Sequence, residues 1–229
     1  MKTIAFQGLQ DHPEYVAEIV AVLMDGGLVC LPCDSSYRIL ADLTNETAVN
    51  HLMASKRRTR EAPSLVFIDS EKMLYQVATK VDAVVLRLAR QLWPGPLTIL
   101  MDPHPELPHK VIKQLAKANG KLGVRIPHSP LLRRVVHDVG RPLLVSSANR
   151  EARQGAGSAA QVRKNFVGRV ELFIDAGDLA PGPSSTVVAI VDDQVKVTRP
   201  GAIDAERVVR VLYQSEVRPA VADEIIALP

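Results

Sequence analysis

Short apolar runs bounded by glycine and proline alternate with stretches of helical period along this chain, and that alternation restricts the fold more than any other feature. Val16, Ile19, Val20 and Leu23 recur at i, i+3, i+4 and i+7, which predicts a helix over 12–24 stopped by Gly26-Gly27. Leu28-Val29-Cys30-Leu31 reads as a buried strand that Pro32 ends. Further strands are expected at 65–68, 97–101, 122–126, 142–146 and 170–174. Helices are expected between them at 45–56, 70–79, 81–92, 109–118, 129–138 and 158–165. Thr186–Val191 and Val195–Val197 around Asp192-Asp193 read as a hairpin, and 204–213 as a closing helix before a polar tail. Strands separated by helices define an α/β domain, and the late hairpin requires some antiparallel pairing. With no repeat and no linker-like stretch, the expectation is one domain over 1–203, followed by a C-terminal helix and tail over 204–229.

Composition excludes several classes. At 47% hydrophobic and 23% charged residues the chain is neither disordered nor a coiled coil. No apolar run reaches the ~20 residues of a membrane span. The N-terminal segment lacks the apolar stretch of a secretory signal, and two cysteines make no disulfide framework, so a reducing cytoplasm is expected. Aromatic residues, at 4%, are too few for a base-stacking platform. The net charge of +3 conceals two cationic regions: Lys56-Arg57-Arg58-Thr59-Arg60, and the span from Leu107 to His137, which contains no acid. Such regions concentrate anions, although a solvated helix face is the plainer reading of a lysine run.

Most individual motifs are weak. Cys30-Leu31-Pro32-Cys33 has no second ligand pair for zinc, and its first cysteine lies inside a strand rather than at a helix start, so two buried thiols are expected. Gly155-Ala156-Gly157-Ser158-Ala159-Ala160 matches a degenerate dinucleotide fingerprint but follows a charged, non-strand segment and reads as a mobile surface loop. The six histidines form no zinc-type pair, and no acidic cluster suggests a metal cage. Polar residues crowded at strand ends say more. Pro32 to Tyr37, Lys56-Arg57-Arg58, Arg125 within Gly123–Pro127, Ser146–Asn149, Ser184–Thr186 and Arg199-Pro200-Gly201 all lie where open α/β sheets bind ligands. Lys56, Arg58, Arg125 and Arg199 among hydroxyls would suit a polyanion, because guanidinium forks match phosphate and carboxylate geometry.

In this order the motifs resemble the YrdC-like threonylcarbamoyl-adenylate synthases, from about residue 12 to 203. The resemblance rests on Pro32-Cys33-Asp34-Ser35-Ser36-Tyr37-Arg38-Ile39, Lys56-Arg57-Arg58, Pro94-Gly95-Pro96-Leu97-Thr98, Val124 to Pro127, Ser147-Ala148-Asn149, Ser185 to Val188 and Arg199 to Ile203. It implies a single YrdC-like α/β domain, with a twisted mixed (parallel and antiparallel) sheet, flanking helices and a positively charged concave face. It also implies condensation of ATP, L-threonine and bicarbonate with release of pyrophosphate, for threonylcarbamoyl-adenosine modification of tRNA. By resemblance, Lys56 and Arg58 are the catalytic cations on the triphosphate. Thr98, Ser147, Asn149 and Arg199 also contact the nucleotide, and Cys33, Ser35, Tyr37, Arg125 and Ser185 the threonine and bicarbonate side, with Arg125 on the threonine carboxylate. Mg2+ is expected as a bridge between phosphates, with no all-protein metal site. Implied partners are the tRNA threonylcarbamoyl-transfer machinery, and tRNA or double-stranded RNA on the basic face; no membrane is implied.

The chain departs from the family motif in places. Cys33 stands for a threonine, Arg38 for a glycine, Ala62 for a lysine, and Glu151-Ala152 for Ser-Gly. These changes raise two other readings: an RNA-binding relative lacking or altered in synthase activity, and an adenylate-forming homologue with a different substrate.

Overall fold

A computed structural model describes residues 1–7, 13–55, 65–117, 120–148, 157–192 and 194–213. In chain order its elements are β1 (Lys2–Ala5), α1 (Pro13–Met24), β2 (Val29–Cys33), β3 (Ser36–Asp42), α2 (Glu46–Ser55), β4 (Leu65–Phe67), α3 (Glu71–Val77), β5 (Ala78–Thr79), α4 (Ala83–Leu92), β6 (Leu97–Pro103), α5 (His109–Lys117), β7 (Leu122–Arg125), α6 (Pro130–Val139), β8 (Leu143–Ser147), α7 (Ala159–Phe166), β9 (Leu172–Asp175), β10 (Thr186–Val191), β11 (Gln194–Arg199) and α8 (Ala205–Tyr213).

The strands form one sheet in the order β1-β9-β2-β3-β8-β4-β7-β6-β10-β11, with β5 attached to β6. Pairing is mixed, as expected. Crossovers through helices leave β1–β9, β2–β9, β4–β7 and β6–β10 parallel. Antiparallel pairing extends well beyond the late hairpin, to β2–β3, β3–β8, β4–β8 and β6–β7. Apolar residues from both faces of the central strands are buried, among them Leu31, Ile39, Val66, Phe67, Ile99, Val124 and Leu144. Helix α1 packs on β2, β3 and α6, and α8 packs on α4 through a buried Val208.

The sequence pattern missed β1, β3 and β5. Strand β3 was hidden because Ser36, Tyr37 and Arg38 look like the polar end of a loop, whereas the chain reverses tightly at Asp34-Ser35 and pairs back on β2, Cys33 against Ser36. Asp34 sits at φ 52, a left-handed conformation that tight hairpin turns demand and that Asp tolerates. Pro32 does not end its strand. Strand β9 pairs only with Val29 and Cys30, so at Pro32 that side of β2 is a local edge where a missing N–H costs no ladder bond. The expected helix over 70–79 stops at Val77, and Ala78-Thr79 pair with β6 instead. Two other expectations lie outside the described residues in whole or part: the polar tail after 213, and the surface loop at 155–160, of which only 157–160 are described. There, Gly157 accepts a hydrogen bond from Leu179 N–H, and Ser158 precedes α7.

Two glycines permit backbone crossings that no side chain would allow. A Cβ on Gly95 would lie 2.3 Å from the Leu92 carbonyl oxygen. One on Gly201 would lie 2.3 Å from the Ser184 oxygen and 2.5 Å from Thr186 N. The second crossing ties the chain after β11 to the start of β10, where Ala202 N–H donates to Ser184 and Ile203 N–H to Thr186 Oγ1. Gly201→Ala is therefore expected to destabilise the fold by about 1–3 kcal/mol or more, as overpacking does. Chemical denaturation checks this, and an unchanged midpoint would contradict the crossing.

Candidate functional site

Sheet register carries the site. Residues paired across neighbouring strands project to the same face, as do alternate residues along one strand. Cys33 pairs with Ser36, Arg38 lies two residues on, and Arg38 pairs with Ser147. Val145, two before Ser147, pairs with Leu65; two residues further along β4, Phe67 pairs with Arg125. Gly123 pairs with Leu100, two from Thr98, and Thr98 pairs with Val187, whose other neighbour is Arg199. Cys33, Arg38, Ser147, Arg125, Thr98 and Arg199 thus share one face. Strand directions put Cys33, Arg38 and Ser147 at one end, at the finishes of β2 and β8 and the start of β3, and Arg125, Thr98 and Arg199 at the other, at the finishes of β7 and β11 and the start of β6. The Asp34–Arg125 hydrogen bond and the influence of Arg38 on Arg199 join the two groups across the face.

Arg125 is the centre of this arrangement. Its side chain is only 2% exposed, although it extends from an otherwise apolar strand. Such a charge is costly unless paired and hydrogen-bonded. Nη2 donates to Asp34 Oδ2 at 2.6 Å, Nε donates to the Gly95 carbonyl at 2.8 Å, and the guanidinium carbon lies 5.9 Å from the centre of the Phe67 ring. Each partner is placed by a motif distant in sequence. Asp34 comes from the β2–β3 turn. Gly95 comes from the Pro94-Gly95-Pro96 turn, which Gly95 N–H anchors to Ile126 and Trp93 Nε1–H anchors to Leu97.

Beside it, Thr98 Oγ1 and Ser185 Oγ lie 3.0 Å apart, and Arg199 Nη2 donates to the Ser185 carbonyl at 2.8 Å and to Ser185 Oγ at 3.1 Å. Desolvation and the like charge of Arg38 both push the Arg199 pKa down. Burial, reinforced by the Asp34 carboxylate and only partly offset by Arg38 and Arg125, pushes Cys33 up to about 11. Cys30 is pushed up by burial alone, and both cysteines are free. Neither thiol is therefore a nucleophile or redox centre near neutral pH. Ser35 Oγ donates to the Gly182 carbonyl at 3.1 Å, and a Cβ on Gly157 would lie 3.4 Å from the Ser35 carbonyl oxygen. The segments at 157 and 179–182 thereby close on the hairpin turn.

The structure brings Cys33, Arg125, Thr98, Ser147 and Arg199 to this face of the sheet, with Ser35 in the β2–β3 turn and Ser185 beside Thr98. Tyr37 does not join them. It projects to the opposite face and tilts over Phe173 at 5.3 Å. Its hydroxyl donates to the Gly177 carbonyl at 2.7 Å and accepts from Ala176 N–H at 2.9 Å. Burial pushes its pKa up to about 12. Lys56, Arg58 and Asn149 lie outside the described residues, as do Ala62 and Glu151. Asp34 and the Gly95 carbonyl were missed as site groups. The signal available was an arginine in an apolar strand, which demands a carboxylate, and Asp34 is the acid in the nearest quoted motif. Among the described residues no group of His, Cys, Asp and Glu could hold a metal, and no helix is long and apolar enough to cross a membrane.

The basic span from 107 to 137 is not one surface. Arg125 is buried, Lys121 pairs with Asp102 at 2.6 Å, and Arg134 pairs with Asp138 at 2.6 Å.

Comparison with known proteins agrees with the architecture. The Sua5/YciO/YrdC family model, described as telomere recombination, matches residues 21–201. A threonylcarbamoyl-AMP synthase from Pyrococcus abyssi is 28% identical over 199 residues, covering 87% of this chain and 57% of that protein. A putative threonylcarbamoyl-AMP synthase from Mycobacterium tuberculosis is 30% identical over 197 residues, covering 86% of this chain and 88% of that protein. Among solved structures, P. abyssi Sua5 complexed with L-threonine superposes with a TM-score of 0.76 at 26% identity, covering 86% of this chain and 56% of that one. Escherichia coli YciO superposes at 0.73 with 20% identity, covering 85% and 92%, which supports the fold. The chain belongs to the Sua5/YciO/YrdC family. It spans little more than half the length of the P. abyssi protein, 57% in the sequence comparison.

The raised pKa values of Cys33 and Tyr37 set the sign of an alkaline effect. The folded state keeps protons that the unfolded chain releases above about pH 8.5 for Cys and about pH 10 for Tyr. Their contribution to stability is complete below those values and is lost as pH rises through about 11 for Cys33 and about 12 for Tyr37. Denaturation midpoints should fall steadily from pH 9 to pH 11, and iodoacetamide should leave the folded protein unlabelled at pH 8. Rapid labelling at pH 8 without unfolding would contradict the burial of both thiols.

Proposed function

We propose that this protein is an L-threonylcarbamoyladenylate synthase, condensing ATP, L-threonine and bicarbonate with release of pyrophosphate, in the pathway to threonylcarbamoyl-adenosine in tRNA. One observation carries the reading: a buried guanidinium that meets a carboxylate stands on the same sheet face as a second cationic cluster with hydroxyls, Thr98, Ser185 and Arg199. An amino-acid carboxylate suits the first, and a nucleotide's phosphates suit the second. The L-threonine in the related P. abyssi structure supports the amino acid chosen.

In this reading threonine and bicarbonate condense to a carbamate with loss of water. A carbamate oxygen then attacks the α-phosphorus of ATP, the bond from that phosphorus to the bridging oxygen breaks, and pyrophosphate departs with the electron pair. Such a displacement needs alignment and neutralised charge more than an acid or base. Arg125 holds the threonine carboxylate, with Asp34 and the Gly95 carbonyl fixing its fork. Cys33, Ser35 and Ser185 line the amino-acid side. Thr98, Ser147, Asn149 and Arg199 orient the nucleotide, and Lys56 and Arg58 neutralise the triphosphate. Tyr37, whose hydroxyl is already engaged by Ala176 and Gly177, supports the Asp34 turn from behind. Mg2+ fits as a companion of the phosphates: the side chains on this face are mainly cations and hydroxyls, so phosphate oxygens would supply its ligands and it would neutralise charge on the leaving group.

A reading as an RNA-binding protein without synthase activity has less support, because Lys121, Arg125 and Arg134 of the basic span are locally paired. Two buried free thiols suit the cytoplasm. Purified protein with ATP, threonine, bicarbonate and Mg2+ should release pyrophosphate and form an adenylate detectable by mass. Arg125→Lys keeps the charge but loses the fork, and is expected to cost on the order of 10²-fold in kcat/KM, mostly through the KM for threonine. Absence of any threonine-dependent product at high protein concentration would overturn the proposal. Product formed only with another amino acid would redirect it to a different substrate.

A further inference from the structure

A further cation of the site stands on β3. Arg38 occupies the third position of β3, between Leu31 of β2 and Ser147 of β8. Its Nε is buried and has no hydrogen-bond partner among the described residues. A buried guanidinium donor left unmade is expensive, and such groups call for a missing acceptor. Asp34 does not supply it, since its Oδ2 accepts from Arg125. Arg38 is close enough to Arg199 to disfavour its charge, so two like charges face the same space. It also acts electrostatically on Cys33. Arg38 therefore stands beside Ser147, within electrostatic reach of Cys33 on the amino-acid side and of Arg199 on the phosphate side.

We propose that Arg38 is a substrate-binding residue of this chain, donating to the phosphoryl group that lies between nucleotide and amino acid. This rests on the reading above, in which that group is the α-phosphate. An anion there satisfies the orphan Nε and relieves the repulsion between Arg38 and Arg199 in one step. Glycine, which stands at this position in the family motif, could do neither. The charge would also compensate at the point where the carbamate oxygen and the α-phosphate, both anionic, must approach.

The test compares the whole protein with Arg38→Met, which retains the apolar stem, using AMP and inorganic pyrophosphate as separate probes in calorimetry and thermal unfolding. Without ligand, Arg38→Met should unfold at the same temperature as the parent or higher, because a repulsion and an unsatisfied donor are removed. AMP should bind it on the order of tenfold more weakly or worse, and its ligand-induced rise in Tm should shrink accordingly. Arg38→Lys should recover part of the affinity, and threonine binding should change little. Equal AMP affinity in parent and Arg38→Met would overturn the proposal. So would a loss of pyrophosphate affinity alone, which would assign Arg38 to the leaving group. If the parent makes no adenylate but its AMP affinity still depends on Arg38, the synthase reading fails and the Arg38 site stands. If it makes adenylate and Arg38→Met binds AMP and turns over normally, the reverse holds.

Discussion

A guanidinium buried in a β-strand organises this protein's site. Arg125 is tolerable at the end of β7 only because Asp34 and the Gly95 carbonyl reach it from two other parts of the chain. That requirement explains local features that look unrelated in sequence. The β2–β3 hairpin must turn sharply enough to aim Asp34 inward, and it does so with Asp34 at φ 52. The Pro94-Gly95-Pro96 turn must bring a carbonyl down onto β7, and Gly95 lets it cross the end of α4 with the Leu92 oxygen 2.3 Å from where a Cβ would stand. The same ion pair places a carboxylate on the Arg125 fork, so in the proposed reading an incoming substrate carboxylate would share the fork with Asp34 or displace it.

The mixed topology turns this local device into a two-part site. Parallel crossovers alone would scatter functional groups over loops at one sheet edge. Here β2 and β8 finish and β3 starts at one end of the sheet, while β7 and β11 finish and β6 starts at the other, and the Asp34–Arg125 bond joins the two groups across the face. Hydroxyls at Thr98 and Ser185 and the cation of Arg199 thereby come onto the face that carries Arg125 and Cys33. Arg38 and Arg199 place like charges toward that face, which favours an anionic ligand over a neutral one.

Much of the fold was legible because burial imposes periodicity. Strands β4, β6, β7 and β8 are apolar runs covered on both faces, and α1, α4 and α6 carry one apolar stripe each. What escaped notice was β3, where function overrides the pattern: Ser36 and Arg38 face the site rather than a packed layer, so the strand lacks an apolar signature on that face. Pro32 misled for a related reason, since a proline ends a strand only where both sides are paired. Site residues were visible as motifs, but Tyr37 was not separable from its neighbours until the register put it on the far face. The Asp34–Arg125 pair spans 91 residues and depends on the β2–β3 turn, so no spacing rule in the sequence announces it.

The central claim is that one sheet face holds an amino-acid carboxylate on Arg125 beside a nucleotide phosphate. A crystal structure with threonine and a non-hydrolysable ATP analogue tests it most directly. The account predicts the threonine carboxylate within hydrogen-bond distance of the Arg125 guanidinium, with the α-phosphate on the Arg38, Ser147 and Arg199 side. An intact Arg125–Asp34 pair with threonine bound elsewhere, or a nucleotide on the Tyr37 face, would contradict it.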